Sequence, residues 1–124
     1  MQMTLLTNPD LSAGLAYKVA RIVYAHTGGK TLPLVEAFTS MIKNLSTKTG
    51  QEISCLIRNA SYFSVLNPDD KNHSCLNVSA DDVKFQMCVR TAQRMLSGGL
   101  GDCCFGATMF HYSDNISHFC KKNA

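Results

Sequence analysis

The chain has 124 residues, of which 45% are hydrophobic and 17% charged, and 12 Lys and Arg against 9 Asp and Glu give a net charge of +3. A chain of this length closes one hydrophobic core, so a single domain over 1–124 is expected, monomeric, with residues 1–10 and 121–124 loosely ordered. The mild, scattered positive charge is far from a nucleic-acid footprint, and no stretch reaches the roughly 18–20 apolar residues of a membrane span.

Met1 to Leu6 has neither the basic start nor the long apolar run of a signal peptide. The first helical pattern runs from Ala13 to Ala25, with Leu15, Ala16, Val19, Ile22 and Val23 on one side. The second is stronger: Leu34, Val35, Phe38, Met41, Ile42 and Leu45 recur at the spacing of one buried helix face. Pro33 suits its first turn, and Glu36 and Lys43 lie near the helix ends whose partial charges they complement. A short helix is expected over Glu52 to Arg58. From Tyr62 to Ser79 the pattern is irregular, with a turn signal at Asn67-Pro68-Asp69-Asp70; a loop this long in a compact domain usually has a function.

The third main helix is the best defined. Ser79 and Asp82 form a start resembling a capping box, and Phe85, Cys88, Val89, Ala92, Met95 and Leu96 make the apolar stripe. Ser97-Gly98-Gly99 stops it. Beyond Leu100 the periodicity is poor, and Ala107 to Tyr112 reads as a strand.

Six cysteines, at positions 55, 75, 88, 103, 104 and 120, suit either a disulfide-bonded protein or buried free thiols. Cys103, Cys104, His111, His118 and Cys120 are all zinc-ligand types, but their spacing fits no established zinc pattern. No metal and no cofactor is expected.

The stretch Ala20 to Leu45, ARIVYAHTGGKTLPLVEAFTSMIKNL, resembles the SleB-like cell wall hydrolases, with Ala20, Arg21, Gly29 and Asn44 falling on the family motif without a gap. Phe63-Ser64-Val65, Phe85 to Cys88, Arg94-Met95-Leu96 and Gly106 to His111 continue the resemblance in colinear order. It implies an α+β domain, predominantly helical and lysozyme-like, with a small sheet, that binds peptidoglycan glycan strands and cleaves their glycosidic bonds. The implied location is the periplasm, the cell envelope or outside the cell. Relatives continue past the Phe-His segment into a further strand, so a partly open groove is expected here.

The family's single catalytic acid is a glutamate, and His26 stands at its position; Lys30 takes a second position that is acidic in many relatives. A histidine can act as a general acid near neutral pH, but its protonated ring opposes the positive charge that develops at the sugar in the transition state. Activity therefore stays open between an impaired glycosidase and a catalytically inactive relative that binds or regulates, with or without structural zinc. Glu36 is the nearest substitute acid, against its plain reading as a solvated charge in a helix's first turn; Asp102 and Asp114 are further candidates. Tyr62, Phe63, His111 and Tyr112 are the expected substrate-binding residues. The groove is expected between the end of the first helix, the Tyr62–Ser79 loop and the His111 region.

Overall fold

The structure, a computed structural model, describes residues 14–104, 106–113 and 116–120, with side chains described as far as residue 110. Helix α1 spans Leu15–Thr27, α2 Leu32–Thr49, the single turn α3 Ile53–Leu56, and α4 Val83–Leu96. Strands β1, Met109–Ser113, and β2, Ile116–Cys120, follow. The domain is compact and mostly helical, as expected from its sequence. No helix among the described residues is long and apolar enough to cross a membrane.

Helix α1 runs two residues further than its apolar pattern suggests, so His26 lies in its last turn. Thr27 holds that turn by donating its hydroxyl to the Val23 carbonyl and accepting the Gly29 N–H. The helix stops at Gly28, in the left-handed region at φ +68°, whose N–H returns to the Tyr24 carbonyl. Gly29 is also left-handed, and a Cβ there would lie 2.8 Å from the Lys84 Cβ. A glycine is required because the end of α1 meets the first turn of α4 backbone to backbone.

Helix α2 begins with Thr31 accepting the Leu34 N–H on its hydroxyl and with Pro33 in the first turn. It outlasts its apolar stripe, ending at Gly50. The hydroxyls of Thr47 and Thr49 fold back onto the Lys43 and Leu45 carbonyls. Helix α4 is capped by Asp82, which accepts the Phe85 N–H, while Ser79 bonds to Asp81 instead. The capping role therefore belongs to Asp82 alone, because α4 starts at Val83.

Helices α1, α2 and α4 pack on one another around Val19, Val23, Val35, Phe38, Ile42, Phe85 and Val89, all essentially inaccessible. Burying each such large apolar side chain contributes roughly 1.5–3 kcal/mol. Tyr17 meets Phe85 edge-on with ring centroids 5.7 Å apart, and the Arg21 guanidinium lies 6.0 Å from both ring centres. Arg21 thus covers the α1–α4 seam with its cation over two aromatic faces. The irregular segment between α3 and α4 folds as two 3₁₀ turns, Ser64–Leu66 and His73–Asn77, tied together by His73 Nδ1 and the Val65 carbonyl at 2.8 Å.

Strands β1 and β2 form an antiparallel hairpin, with Met109 opposite Cys120 and His111 opposite His118. The sequence reading expected the strand after the Phe-His segment to be missing; β2 supplies one. Its five residues, Ile116 to Cys120, carry no strict apolar–polar alternation, so the sequence alone signals no strand there.

Cys55, Cys75, Cys88, Cys103 and Cys104 are free thiols. Cys88 is wholly buried on α4, and burial pushes its thiol up to about 12, so it stays protonated and packs as a small hydrophobe.

Candidate functional site

Phe38 of α2, Phe63 of the segment after α3 and Phe110 of β1 converge on one ring, that of His26 at the end of α1. Phe38 stacks on it with centroids 5.0 Å apart and planes 23° from parallel. Phe63 and Phe110 meet it edge-on at 6.1 and 6.3 Å, and Phe110 also meets Phe38 edge-on at 5.0 Å. The helix spacing sets this up: the last turn of α1 delivers His26 against the Phe38 face of α2, and β1 lays Phe110 across both.

This box closes one side of a cavity of about 430 Å³, lined by His26, Phe38 and Met41 from the helices and by Asn59, Ser61, Tyr62 and Ser64 from the segment after α3. Thr108, Met109 and Phe110 complete it from the start of the hairpin. The lining combines aromatic and sulfur-bearing side chains with neutral hydrogen-bonding ones, and among the described residues it contains no carboxylate.

His26 is largely withdrawn from water. Burial lowers its pKa from 6.5 to about 4, against a smaller opposing pull from Asp70. Its Nε2 is buried and has no hydrogen-bond partner among the described residues. At pH 7 the ring is neutral, with roughly one molecule in a thousand protonated at that value.

Two smaller depressions adjoin the same ring. One, of about 350 Å³, is lined by Tyr24, Lys30, Leu34, Lys71 and Asn72 among others. The second, of about 220 Å³, includes Ser64, Asp70, Lys71 and Phe110. His26 is therefore a wall shared by three concave surfaces.

The remaining sequence candidates divide. Tyr62 lines the main cavity. Phe63 is wholly buried and meets the site from behind, against the rings of His26 and Phe38, so it is core rather than a contact residue. Glu36 is not part of the lining; its carboxylate pairs with Arg94, Oε2 to Nη1 at 2.8 Å. Asp102 is also outside the cavity. Its carboxyl is held below the usual carboxylate range, chiefly by the Cys104 N–H, and the Asn44 amide adds to the effect. His111 and Tyr112 lie on β1, but their side chains fall outside the described residues, as do Asp114 and the side chains of His118 and Cys120. Among the described residues no three His, Cys, Asp or Glu side chains are grouped to hold a metal.

Asn44 gains a role that its place in a motif did not disclose. Its side-chain amide donates to the Ala107 carbonyl at 3.1 Å and to Asp102 Oδ1 at 3.3 Å, and lies 3.4 Å from Cys104 Sγ. One turn earlier, Ser40 Oγ accepts the Cys103 N–H at 3.1 Å. These two polar residues of α2 bind the segment that leads into Thr108 and Phe110, and so fix one wall of the cavity. The signal in the sequence was a polar pair four residues apart on a helix whose neighbouring face is apolar.

No protein-family model, no curated protein and no solved structure matches the chain.

Proposed function

We propose that the chain binds peptidoglycan glycan strands in the cavity beside His26, on a lysozyme-like scaffold of the SleB-like cell wall hydrolase type, and that it does so as a catalytically inactive relative. The observation that carries this reading is the composition of the cavity wall: aromatic surface in Tyr62 and Phe110, neutral donors and acceptors in Asn59, Ser61, Ser64 and Thr108, and no carboxylate among the described residues. A sugar ring presents an apolar face bounded by hydroxyls and acetamido groups, which such a wall complements by stacking and hydrogen bonding.

Cleavage needs a group that holds a proton at working pH and gives it to the glycosidic oxygen. The neutral imidazole of His26 holds no such proton, and an imidazolium there would oppose the developing oxocarbenium charge. Glu36, the nearest substitute, is engaged by Arg94 away from the cavity. Losing the acid costs about two to four orders of magnitude in rate. The function that remains is binding at the cell wall, by a monomer in the envelope or outside the cell.

Purified cell walls test this. The unaltered chain should co-sediment with walls and release no soluble fragments. His26→Glu should release them, because a carboxyl placed among Phe38, Phe63 and Phe110 is desolvated and kept protonated at neutral pH. Digestion by the unaltered chain that survives His26→Ala would refute the assignment, since the acid would then lie elsewhere.

A further inference from the structure

The fold treats the two ring nitrogens of His26 differently. Nε2 is shut off from solvent and has no hydrogen-bond partner among the described residues, whereas Nδ1 is not among the shut-off atoms. The ring walls the cavity of about 430 Å³ and both depressions beside it. Nδ1 is therefore the polar atom that His26 can present to a bound molecule. The ring is also held in place. Phe38 stacks on it at 5.0 Å between centroids, and Phe63 and Phe110 meet it edge-on at 6.1 and 6.3 Å. Thr27 fixes the backbone beneath, donating to the Val23 carbonyl and accepting the Gly29 N–H. A side chain constrained in this way has little freedom left to lose when a ligand meets it.

A neutral imidazole carries one proton, on one nitrogen or the other. On Nε2 it would be a buried N–H facing aromatic rings, and a buried donor without an acceptor is the rarer and costlier orphan. On Nδ1 the proton stays within reach of water or of a ligand. We infer that His26 is a ligand-binding residue, which as the Nδ1–H tautomer donates a hydrogen bond to an oxygen of the sugar bound beside it. The inference rests on the glycan reading above and adds the residue, the atom and the acceptor. Sugars suit such a donor, because their ether, hydroxyl and acetamido oxygens all accept hydrogen bonds. The position at which the resembled family holds its acid thus carries a fixed neutral donor that keeps its proton. It contributes to affinity and to the orientation of the strand, and no proton transfer is asked of it.

The test follows the nitrogen resonances of the histidine rings in the isotope-labelled full chain at neutral pH, during titration with a peptidoglycan tetrasaccharide. The His26 signals are those absent from His26→Phe. The free chain should show a protonated Nδ1 and an unprotonated Nε2 for His26, and saturation should move Nδ1 while Nε2 stays. His26→Phe keeps a flat ring against Phe38 and removes the donor. By calorimetry it should bind the tetrasaccharide roughly two- to tenfold more weakly, the factor of one neutral hydrogen bond. A proton on Nε2, an Nδ1 signal unmoved at saturation, or equal affinity of His26→Phe would each overturn the His26 contact and leave the glycan reading standing. No saturable binding of the tetrasaccharide by the unaltered chain at millimolar concentration would overturn both readings.

Discussion

His26 should make the protein's stability fall as the pH drops from neutral to about 4. In the folded chain the ring titrates near 4, and in the unfolded chain near the ordinary 6.5. Between these values the unfolded state holds more protons, so stability rises with pH across the window and is lost as pH falls through it. The difference amounts to roughly 3 kcal/mol at full displacement, since one pH unit is about 1.4 kcal/mol. For a domain of this size that corresponds to on the order of 10 °C in Tm. Asp70 opposes the shift and is the charged group that acts on the ring. The control is His26→Phe, which keeps a flat ring against Phe38, cannot titrate and removes the buried, unpartnered Nε2. Thermal unfolding of both proteins between pH 4 and 7 should show a difference that is constant near neutral pH and grows in acid, the unaltered protein falling further. Losses common to both, from depressed carboxyls such as Asp102, cancel in the difference. A difference that stays constant over this window would refute the argument that burial controls the His26 proton.

Two further substitutions test how the site is built. Asn44→Ala strips the donor from the Ala107 carbonyl and from Asp102. It should cost roughly 1–3 kcal/mol in denaturant unfolding, and should weaken glycan binding because the wall at Thr108 and Phe110 loses its anchor; unchanged stability would show that the contact is incidental. Gly29→Ala forces a side chain into the left-handed region and against Lys84 at 2.8 Å. It should destabilise by roughly 2–4 kcal/mol, read as a lower denaturation midpoint at unchanged slope. A neutral result would mean that α1 and α4 can separate freely.

The helices were legible because their apolar residues recur at helical spacing and their ends carry chemically specific signals: Pro33, Asp82 and Ser97-Gly98-Gly99. Their lengths were less so. Helix α2 continues through Thr47 and Thr49, whose hydroxyls bond to carbonyls one turn back, and a polar pattern does not reveal that continuation. His26 stood out through its position in a motif, yet its withdrawal from water depends on Phe38, Phe63 and Phe110, contributed by three separate segments. Phe63 and Tyr62 are adjacent and both aromatic. Only tertiary packing sends the first into the core and leaves the second at the cavity. Glu36 illustrates the same limit: its partner Arg94 lies on α4, far along the chain, and no local pattern announces the pair. The anchoring role of Asn44 likewise depends on a contact remote in sequence.

The central claim is that a glycan strand occupies the cavity walled by His26. Backbone amide shifts of the isotope-labelled chain, followed during titration with a soluble glycan fragment of peptidoglycan, test it most directly. The account predicts saturable movement of Asn59, Ser61, Tyr62, Ser64, Thr108 and Met109, the residues around the cavity, with the α1–α4 seam at Arg21 and Phe85 unmoved. Shifts confined to other surfaces, or none at millimolar fragment, would contradict it.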